Sequence, residues 1–451
     1  MSKTMTTGTL RVRKKALVRV LGCKVNQAEA EAMARALESR GYHIDPSTDD
    51  PDLVVVNTCC VTSKAEGKSR RMVNRLADKF PGVRMIVTGC LAEINASSLE
   101  KAAPGAVLLG TFEKDHFDEF IGEAPITARS EGHTGASACT TFVDLGPPDM
   151  RSRARAFLKV QDGCSQSCAY CIVPAARGPS RSLPADKVLL HASKMSARGF
   201  AEIVLTGIHL GNYGRDLYPA MGLEDLLERL VEECPATRFR LSSVEPQEIT
   251  PRLIELAADH PRVCRHFHIP LQSGDDNMLS RMGRPYDTGF IRDLMDSIFT
   301  RAPETCIGLD VMVGFPGEDE ESFRKTLTLI EDSGAAYLHV FPFSPRPGTP
   351  AAAFRPRVSE TVARRRVEEL RSLSRTLRRS FYERFVGTTL SVVPESEPDP
   401  DTGLFITRTD NYIPVHVRAV STVPCKTAFP VTLDRIEDEK VLGTIAMTVP
   451  T

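Results

Sequence analysis

Two parts of the sequence alternate buried, β-branched runs with amphipathic helical stretches, and this alternation limits the fold more than any other feature. In the first part, strands are predicted at Ala16–Leu21, Asp52–Asn57 and Val83–Thr88, and a helical stretch follows each of them. Alternating strands and helices favour a parallel sheet with helices on both faces. We therefore predict an N-terminal doubly wound α/β domain over residues 10–125.

The second part follows residues 126–150, which are rich in Gly, Ser, Thr and Pro, lack periodicity and are predicted to form a linker. Six strands and intervening helices fit an incomplete (βα)6 barrel, because a full eight-strand barrel needs more chain. With the amphipathic helix Glu360–Phe385, this domain is predicted to span residues 151–384. Its predicted strands are Phe157–Gln161, Glu202–Thr206, Arg238–Ser242, His266–Pro270, Cys306–Val313 and Leu338–Pro342.

The pattern changes after Gly387 to short β-runs. Five of them fit a small barrel over residues 385–451, a class that often binds oligonucleotides. The predicted fold class is thus α/β with a small C-terminal β-barrel. The five runs are Leu390–Val393, Leu404–Thr407, Ile413–Val417, Lys426–Leu433 and Val441–Met447.

Composition sets few further limits. The chain has 451 residues, a formal net charge of −1 and 12 cysteines. It contains no run of about 18 apolar residues, so no membrane span is predicted. The N-terminal apolar run ends at Arg19 and is too short for a signal peptide. Cysteines without a signal peptide indicate a reducing compartment, and a cytoplasmic location is expected.

Cys164, Cys168 and Cys171 form a C-x3-C-x2-C loop directly after the first strand of the second part. A cubane 4Fe–4S cluster has four irons, so three cysteines leave one iron open to a small chelating ligand. S-adenosylmethionine offers an amine and a carboxylate for that position. The alternatives are core cysteines or a zinc site, but a closed structural zinc site takes four ligands. We predict a 4Fe–4S cluster that binds S-adenosylmethionine.

Cys23, Cys59 and Cys90 are far apart in sequence, but each follows the carboxyl end of a predicted parallel strand. In open α/β sheets these ends converge on one crevice, so three thiolates can meet there. Gly22 and Gly89 permit tight turns beside a bulky cluster. A second metal site is therefore predicted, and a zinc site that uses Cys60 as fourth ligand is the alternative.

The chain resembles the radical S-adenosylmethionine methylthiotransferases from about residue 10 to residue 447. The resemblance rests on the cysteine loop of residues 164–171 together with seven further motifs. These are Leu-Gly-Cys-Lys-Val-Asn at 21–26, Asn-Thr-Cys at 57–59, Val-Thr-Gly-Cys at 87–90, Ser-Ser-Val-Glu-Pro at 242–246, His-Ile-Pro-Leu-Gln-Ser-Gly at 268–274, Gly-Phe-Pro-Gly-Glu at 314–318 and Phe-Ser-Pro-Arg-Pro-Gly-Thr at 343–349.

The first motif bears on the substrate. Members that modify a ribosomal protein aspartate usually carry Gly-Cys-Pro-Lys-Asn there, and members that modify isopentenyladenosine in tRNA usually carry Gly-Cys-Gln-Met-Asn. Residues 22–26, Gly-Cys-Lys-Val-Asn, are similar to a third group, which methylthiolates N6-threonylcarbamoyladenosine beside the anticodon. The resemblance thus implies a tRNA methylthiotransferase, with the other two substrates as alternatives. A non-catalytic, metal-containing RNA-binding protein is the alternative of another class.

By the same resemblance, the C-terminal barrel of residues 385–451 looks like the TRAM domain of this family, a module that docks RNA or substrate. The resemblance also implies the cofactors and partners. The cluster on the 164–171 loop would cleave S-adenosylmethionine to methionine and a 5′-deoxyadenosyl radical. The cluster on Cys23, Cys59 and Cys90 would carry the sulfur, and a second S-adenosylmethionine would supply the methyl group. The expected partners are a tRNA anticodon arm and an electron donor such as flavodoxin or ferredoxin. The chain is expected to act as a monomer.

Residues at the predicted barrel strand ends are candidates for binding S-adenosylmethionine. Tyr170 resembles the family position that meets the adenine edge, with loop packing as the alternative. Glu245 is a candidate for the methionine amine, and a structural salt bridge is its alternative. Gly207, Ser243 and Gln272 complete the predicted set.

A basic stretch is the candidate RNA contact. Residues 355–385 hold ten arginines and four glutamates. Arg364, Arg365 and Arg366 are predicted to face tRNA, and a solvated helix face paired with glutamates is the alternative. Arg346 is predicted to contact the nucleotide or else to pair with a carboxylate. Tyr412 is predicted to stack on a base or else to fill the small barrel.

Overall fold

The computed structural model describes residues 14–121, 139–147, 155–395, 399, 402–418 and 427–446. It divides into two compact units, Met1–Cys60 with Lys64–His133, and Val61–Ser63 with Thr134–Thr451. Within the described ranges, no helix is long and apolar enough to cross a membrane. Of the predicted linker, only residues 139–147 lie inside the described ranges; there Asp144 pairs with His191.

The first unit is a parallel five-stranded sheet with strand order β2-β1-β3-β4-β5. The order reverses between β1 and β3, which is the switch point where such sheets open a crevice. Every residue of β3 is buried, as expected for a central strand covered on both faces. The strands are β1 Lys15–Val20, β2 His43–Ile44, β3 Leu53–Thr58, β4 Arg84–Gly89 and β5 Val107–Leu109. The helices are α1 Lys24–Ser39, α2 Ser63–Lys79, α3 Cys90–Ile94 and α4 Ala96–Ala102, followed by a 3-10 helix at Glu113–Ile121.

The predicted doubly wound sheet is confirmed, and the structure adds two strands to it. Both β2 and β5 lie at sheet edges and have two and three residues. Runs this short give no periodicity, and only their pairing with longer neighbours makes them strands.

The second unit contains six parallel strands in two sheets, β10-β9-β6 and β11-β12-β13. Two isolated bridges, Phe239 to Val263 and Ser243 to His268, join the sheets. Among the described residues β6 and β13 do not pair, so the (βα)6 barrel is open at that edge. The strands are β6 Arg155–Lys159, β9 Glu202–Thr206, β10 Arg238–Leu241, β11 His266–Gln272, β12 Cys306–Val313 and β13 Tyr337–Pro342, with the hairpin β7 Gln161–Asp162 and β8 Arg181–Ser182 after β6.

Helices follow the barrel strands as predicted. The long helix α12 begins at Glu360, where the Ser359 side chain accepts a hydrogen bond from the Val362 N–H, and it ends at Glu383. The barrel helices are α5 Val173–Arg177, α6 Ala185–Ala197, α7 Leu223–Glu233, α8 Pro251–Asp259, α9 Asp276–Met282, α10 Thr288–Arg301 and α11 Glu320–Asp332.

The C-terminal strands form the predicted closed five-strand barrel, in the order β14-β15-β16-β18-β17. Alternate residues such as Val415, Val417, Val431 and Leu433 point into its core. The strands are β14 Thr389–Pro394, β15 Leu404–Thr409, β16 Pro414–Arg418, β17 Phe429–Glu437 and β18 Lys440–Ile445.

A buried carboxylate, Glu202 on β9, organises the base of the (βα)6 barrel. Arg155, Arg238 and Arg240 each place a guanidinium nitrogen 2.7–2.8 Å from its oxygens. Burial alone would raise the pKa of Glu202, but the guanidinium groups of Arg240, Arg238 and Arg155 outweigh burial and hold this pKa well below 4.5.

The same arginines fasten the small barrel to the large one. Arg238 donates to the carbonyl oxygens of Ser391 at 3.1 Å and Arg408 at 2.8 Å. Arg240 donates to those of Asp410 and Thr409, both at 2.9 Å. Backbone carbonyls of the small barrel are therefore satisfied by cations of the large one.

Replacing Glu202 with Gln should destabilise this unit strongly. Three buried cations would lose their shared counter-charge, and breaking such a buried ion pair costs about 3–5 kcal/mol. The measurement is the free energy of unfolding in denaturant. Glu304→Gln is the control, because its ion pair with Arg265 is exposed and is worth about 0–1 kcal/mol. An equal effect of the two changes would contradict the role of Glu202.

The folded pKa of Glu202 lies below the unfolded one, so its contribution to stability is complete above pH 4.5. That contribution is lost as pH falls through the folded pKa. The free energy of unfolding of wild type should therefore approach that of the Glu202→Gln variant as the pH is lowered.

Candidate active site

The cysteine loop lies between β7 and α5, at the carboxyl end of β6. Gly163 precedes it with φ of 72°, and a Cβ there would lie 2.0 Å from the Pro179 carbonyl oxygen. Only glycine permits this close crossing of two backbone segments. The Cys164 N–H then donates to the Gly178 oxygen at 3.0 Å, and the Cys171 N–H donates to the Cys168 oxygen at 3.1 Å. The loop is thereby closed into a compact turn, in which each of the three cysteine residues is partly buried.

Burial acts on two of these thiols. It raises the pKa of Cys168, against the effect of Arg284, and raises the pKa of Cys171 to about 12. A protonated thiol is a poor nucleophile and does not ligate metal. A metal that binds the thiolate directly removes this cost, because its positive charge replaces the proton.

Arg284, two residues after the end of α9, is a cation beside the loop. Its guanidinium lies 3.3 Å from Cys168 Sγ and 3.5 Å from the Tyr170 hydroxyl oxygen. It also forms an ion pair with Glu245 and donates to the Tyr286 hydroxyl at 2.9 Å. Burial raises the pKa of Glu245 even though Arg284 opposes the shift. Two predicted cofactor residues, Tyr170 and Glu245, are thus brought together by a residue that the sequence did not single out.

His209 lies on the other side of the loop. Its Nδ1 is 3.6 Å from Cys164 Sγ, and its Nε2 is 2.7 Å from a Glu248 carboxylate oxygen. Burial disfavours the charged ring, but the contacts with Cys164 and Glu248 outweigh burial and raise the pKa of His209 to about 10. The Gln161 side chain accepts the His209 backbone N–H at 2.7 Å and so fixes this residue to β7.

The remaining predicted cofactor residues lie at strand ends of the same barrel. Gly207 follows β9 and packs on Gln161, whose Oε1 would lie 2.7 Å from an added Cβ. Ser243 follows β10 and is exposed. Gln272 ends β11 with φ of 68°, a left-handed conformation that is costly for a residue other than glycine.

Two buried polar atoms at these strand ends have no hydrogen-bond partner among the described residues. They are Gln272 Oε1 and Ser242 Oγ. Unsatisfied buried polar atoms are rare and indicate an unfilled role such as ligand binding. They fit a polar ligand at the mouth of the barrel.

The second cysteine set lies in the first unit at the carboxyl ends of β1, β3 and β4. These strands are adjacent and parallel. Cys23 caps α1, Cys59 follows β3 directly, and Cys90 begins α3. A Cβ on Gly22 would lie 2.9 Å from Cys59 Cβ and 3.1 Å from its Sγ. The structure therefore brings the first cysteine loop against the second, as the sequence predicted.

Asparagines and glycine shape the backbone around this set. Asn26 Nδ2 donates to the carbonyl oxygens of Leu21 at 2.7 Å and Thr58 at 3.0 Å, which ties the loops after β1 and β3 together. Gly89 has φ of 100°, and a Cβ there would lie 2.4 Å from the Thr58 oxygen. Ser69 of α2 bonds both backbone groups of Cys59, at 2.9 and 3.1 Å.

Cys60 differs from its neighbour. It is fully buried, and its Sγ lies 3.3 Å from the Cys90 carbonyl oxygen. This contact orients the thiol toward backbone, which supports the interpretation that Cys60 is a structural cysteine.

Comparison with known proteins agrees with this geometry. Residues 15–110 match a family model described as "Uncharacterized protein family UPF0004", and residues 158–330 match the "Radical SAM superfamily". The threonylcarbamoyladenosine tRNA methylthiotransferase MtaB of Bacillus subtilis is 36% identical over 88% of each chain. The enzyme of the same name from Thermotoga maritima is 33% identical, over 84% of this chain and 86% of the relative. This chain belongs to the radical S-adenosylmethionine methylthiotransferase family.

Two further proteins are similar to this chain, one in sequence and one in fold. The tRNA-2-methylthio-N(6)-dimethylallyladenosine synthase of Pelotomaculum thermopropionicum is 31% identical over 88% of this chain and 90% of its own length. A solved radical S-adenosylmethionine methyltransferase, TsrM from Kitasatospora setae, has a TM-score of 0.55 and 15% identity. It covers 75% of this chain and 77% of its own length, and at that identity it supports the fold alone.

For a methylthiotransferase, both cysteine sets fit a 4Fe–4S cluster. One set offers three thiols from a single eight-residue loop, and the other offers three thiols at the carboxyl ends of three adjacent parallel strands. Cys164, Cys168 and Cys171 would hold the radical cluster, and Cys23, Cys59 and Cys90 the auxiliary cluster. Gln272 Oε1 is buried and has no partner among the described residues, so it would suit a polar group of S-adenosylmethionine.

The basic residues predicted for RNA have different positions in the methylthiotransferase fold. Arg366 is 2% exposed and pairs with Glu318 at 3.0 Å, so it has no surface for RNA in this structure. Arg365 is half exposed and pairs with Glu320 at 2.7 Å, and Arg364 is exposed with its guanidinium 4.0 Å from Glu360. Arg366 therefore does not lie on a solvated helix face either, because it is buried and pairs with Glu318 and Glu320. RNA contact stays a prediction for Arg364 and Arg365.

Two other RNA candidates lie inside the second unit. Arg346 is 3% exposed. The Tyr412 ring stacks on His266 with 4.1 Å between centroids, and the Arg408 guanidinium lies 4.4 Å from the ring centroid. The ring also packs against the core of the small barrel, in line with the alternative that Tyr412 fills this barrel, and stacking on a base stays a prediction.

Sequence reasoning also missed a polar group within the large barrel. His268 Nε2 lies 2.9 Å from Asp310 Oδ1, and His339 Nδ1 lies 3.5 Å from the same oxygen. The His268 Nδ1 contacts the Tyr337 hydroxyl at 3.1 Å. These residues come from three adjacent strands and have no fixed spacing, so only strand pairing brings them together.

Proposed function

We propose that this chain methylthiolates C2 of N6-threonylcarbamoyladenosine beside the tRNA anticodon, giving 2-methylthio-N6-threonylcarbamoyladenosine. The observation that carries this proposal is the presence of two three-cysteine sets, one at the mouth of a (βα)6 barrel and one at the switch point of a parallel sheet. Relatives with the matching name cover most of the chain.

The adenine C2–H bond is unactivated, so acid–base side chains cannot break it, and the cofactors must supply the chemistry. When bound, the radical cluster supplies the electron that cleaves S-adenosylmethionine, and the auxiliary cluster supplies sulfur. The residues of the protein bind and orient these cofactors. Arg284 places positive charge beside Cys168 and holds Glu245, which is a candidate for the methionine amine. Ser69 and Asn26 hold the loops that carry Cys23 and Cys59.

Several finer features rest on the family resemblance. These are an electron donor such as flavodoxin or ferredoxin, a monomeric state and a cytoplasmic location. A role for Arg364, Arg365 and the small barrel in holding the anticodon arm is likewise part of the proposal. The exposure of Arg364 supports it.

The substrate is tested with anaerobically reconstituted protein, reductant, S-adenosylmethionine and tRNA that carries either threonylcarbamoyladenosine or isopentenyladenosine. Mass spectrometry of the nucleosides should show the methylthio product only from the first tRNA. Product from isopentenyladenosine alone would contradict the proposed substrate. Absence of 5′-deoxyadenosine in every reaction would contradict radical chemistry and favour the non-catalytic RNA-binding alternative.

A further inference from the structure

A cavity of about 470 Å³ opens in the first unit between α2 and the α3–α4 segment. This volume falls within the roughly 300–1,000 Å³ of small-ligand sites. Its lining is polar and basic and contains no carboxylate. The lining residues are Arg70, Arg71 and Asn74 of α2, and Asn95, Ser97, Ser98, Lys101 and Ala102 of the opposite wall.

Within the described part of the chain, the three cations of this basic pocket have no acidic partner. Arg70, Arg71 and Lys101 are all exposed, and none forms an ion pair with any described residue. Other cations of the same unit do have such partners, as the Lys79–Asp49 pair at 2.6 Å shows. Like charges gathered around one concave surface repel each other, and they raise the local concentration of anions. The arrangement therefore suits an anionic ligand.

The other groups in the pocket suit an oxyanion in particular. Arginine presents a planar fork of donors that matches phosphate oxygens. Asn74 and Asn95 each have a second amide hydrogen besides the one directed at the Ala102 carbonyl oxygen and at Glu66. The hydroxyls of Ser97 and Ser98 already donate to Asn95, so the arginines are the main donors. Glu66, which is not among the lining residues, lies 3.5 Å from Asn95 Nδ2.

Each wall of the pocket belongs to a segment that contacts or contains a cysteine of the auxiliary set. Ser69, which precedes Arg70, bonds the backbone N–H and carbonyl of Cys59. On the other wall, α3 begins at Cys90 and Asn95 follows its last residue. A ligand held here is anchored to the same two elements that position Cys59 and Cys90.

We propose that the basic pocket binds backbone phosphates of the tRNA anticodon arm and so positions the target adenosine relative to the auxiliary site. The inference rests on the proposed function, because it takes tRNA as the substrate. An acidic electron-donor protein would meet the same charges. RNA is favoured because the site is concave and lies beside the cysteines that the target nucleotide must approach.

The test is charge reversal of all three cations in the reconstituted full chain, with Arg70→Glu, Arg71→Glu and Lys101→Glu combined. Binding of a dye-labelled anticodon stem-loop is measured by fluorescence anisotropy at several salt concentrations. Each lost phosphate contact lowers the slope of log K against log salt by about 0.7–0.9, so the slope should fall by about 2–3. Affinity at low salt should fall on the order of tenfold to a hundredfold.

Two variants serve as controls. Lys79→Glu reverses one charge on the same helix outside the pocket, and it should leave the slope nearly unchanged. Arg70→Lys with Arg71→Lys keeps the charge and should retain most of the slope while losing the arginine fork. Iron content and uncoupled S-adenosylmethionine cleavage should remain at wild-type levels in all three variants.

Unchanged RNA affinity and slope in the triple variant would overturn the proposal. A second outcome would also overturn it: the triple variant binds RNA normally and is reduced by dithionite as fast as wild type, but it is reduced by flavodoxin more slowly than wild type. That result would assign the pocket to an acidic protein. Failure of the proposed function looks different. A wild-type protein that binds the stem-loop but methylthiolates no tRNA contradicts the function, and the comparison of slopes still decides what the pocket binds.

Discussion

Replacing Cys164, Cys168 and Cys171 together with Ala is expected to abolish S-adenosylmethionine cleavage. It should also lower the iron content from about eight to about four per chain, counting four per cubane cluster. The loop closed by Gly163 and Gly178 would survive, but it would offer no thiolate. The measurements are iron analysis after anaerobic reconstitution and quantification of 5′-deoxyadenosine.

The control for this change is Cys234→Ala. Cys234 is buried at the end of α7, far in sequence from both sets, and should leave about eight irons and normal cleavage. A wild-type protein with iron near zero and one stoichiometric zinc would contradict both cluster assignments.

Replacing Cys59 with Ala is expected to separate the two halves of the reaction. S-adenosylmethionine cleavage should continue, because the radical loop lies in the second unit. Methylthiolated nucleoside should fall below detection, because the set that carries the sulfur would lose a thiolate at the center of its three strands. Parallel measurements of 5′-deoxyadenosine and of the modified nucleoside check this result.

Cys60→Ala is the matched control, one residue away on the same loop. The Cys60 thiol contacts the Cys90 carbonyl oxygen, so its loss should preserve sulfur insertion. If Cys59→Ala made product at the normal rate, the auxiliary role of this set would be contradicted. If Cys60→Ala lost metal as completely as Cys59→Ala, a four-cysteine zinc site would replace the assigned cluster.

Much of the fold was accessible from sequence because its signals are local. The strand Glu202–Thr206 and the helix beginning at Glu360 have the predicted starts. Both the burial pattern of a strand and the cap of a helix depend on residues that are close in sequence. The edge strands His43–Ile44 and Val107–Leu109 were missed, because their hydrogen bonds to β1 and β4 define them and a run of two or three residues carries no period.

The candidate site divides in the same way. The sequence by itself determined the family, and it predicted the two cysteine sets, because a ligand loop depends on spacing and parallel strand ends converge whatever side chains surround them. Only the tertiary structure placed Arg284 against Cys168, buried Arg366 against Glu318 and covered Tyr412 with His266. The tertiary structure also brings Arg70, Arg71 and Lys101 together around one pocket. A charged side chain pairs with whichever opposite charge the fold places next to it. The distance along the sequence carries almost no information about that partner.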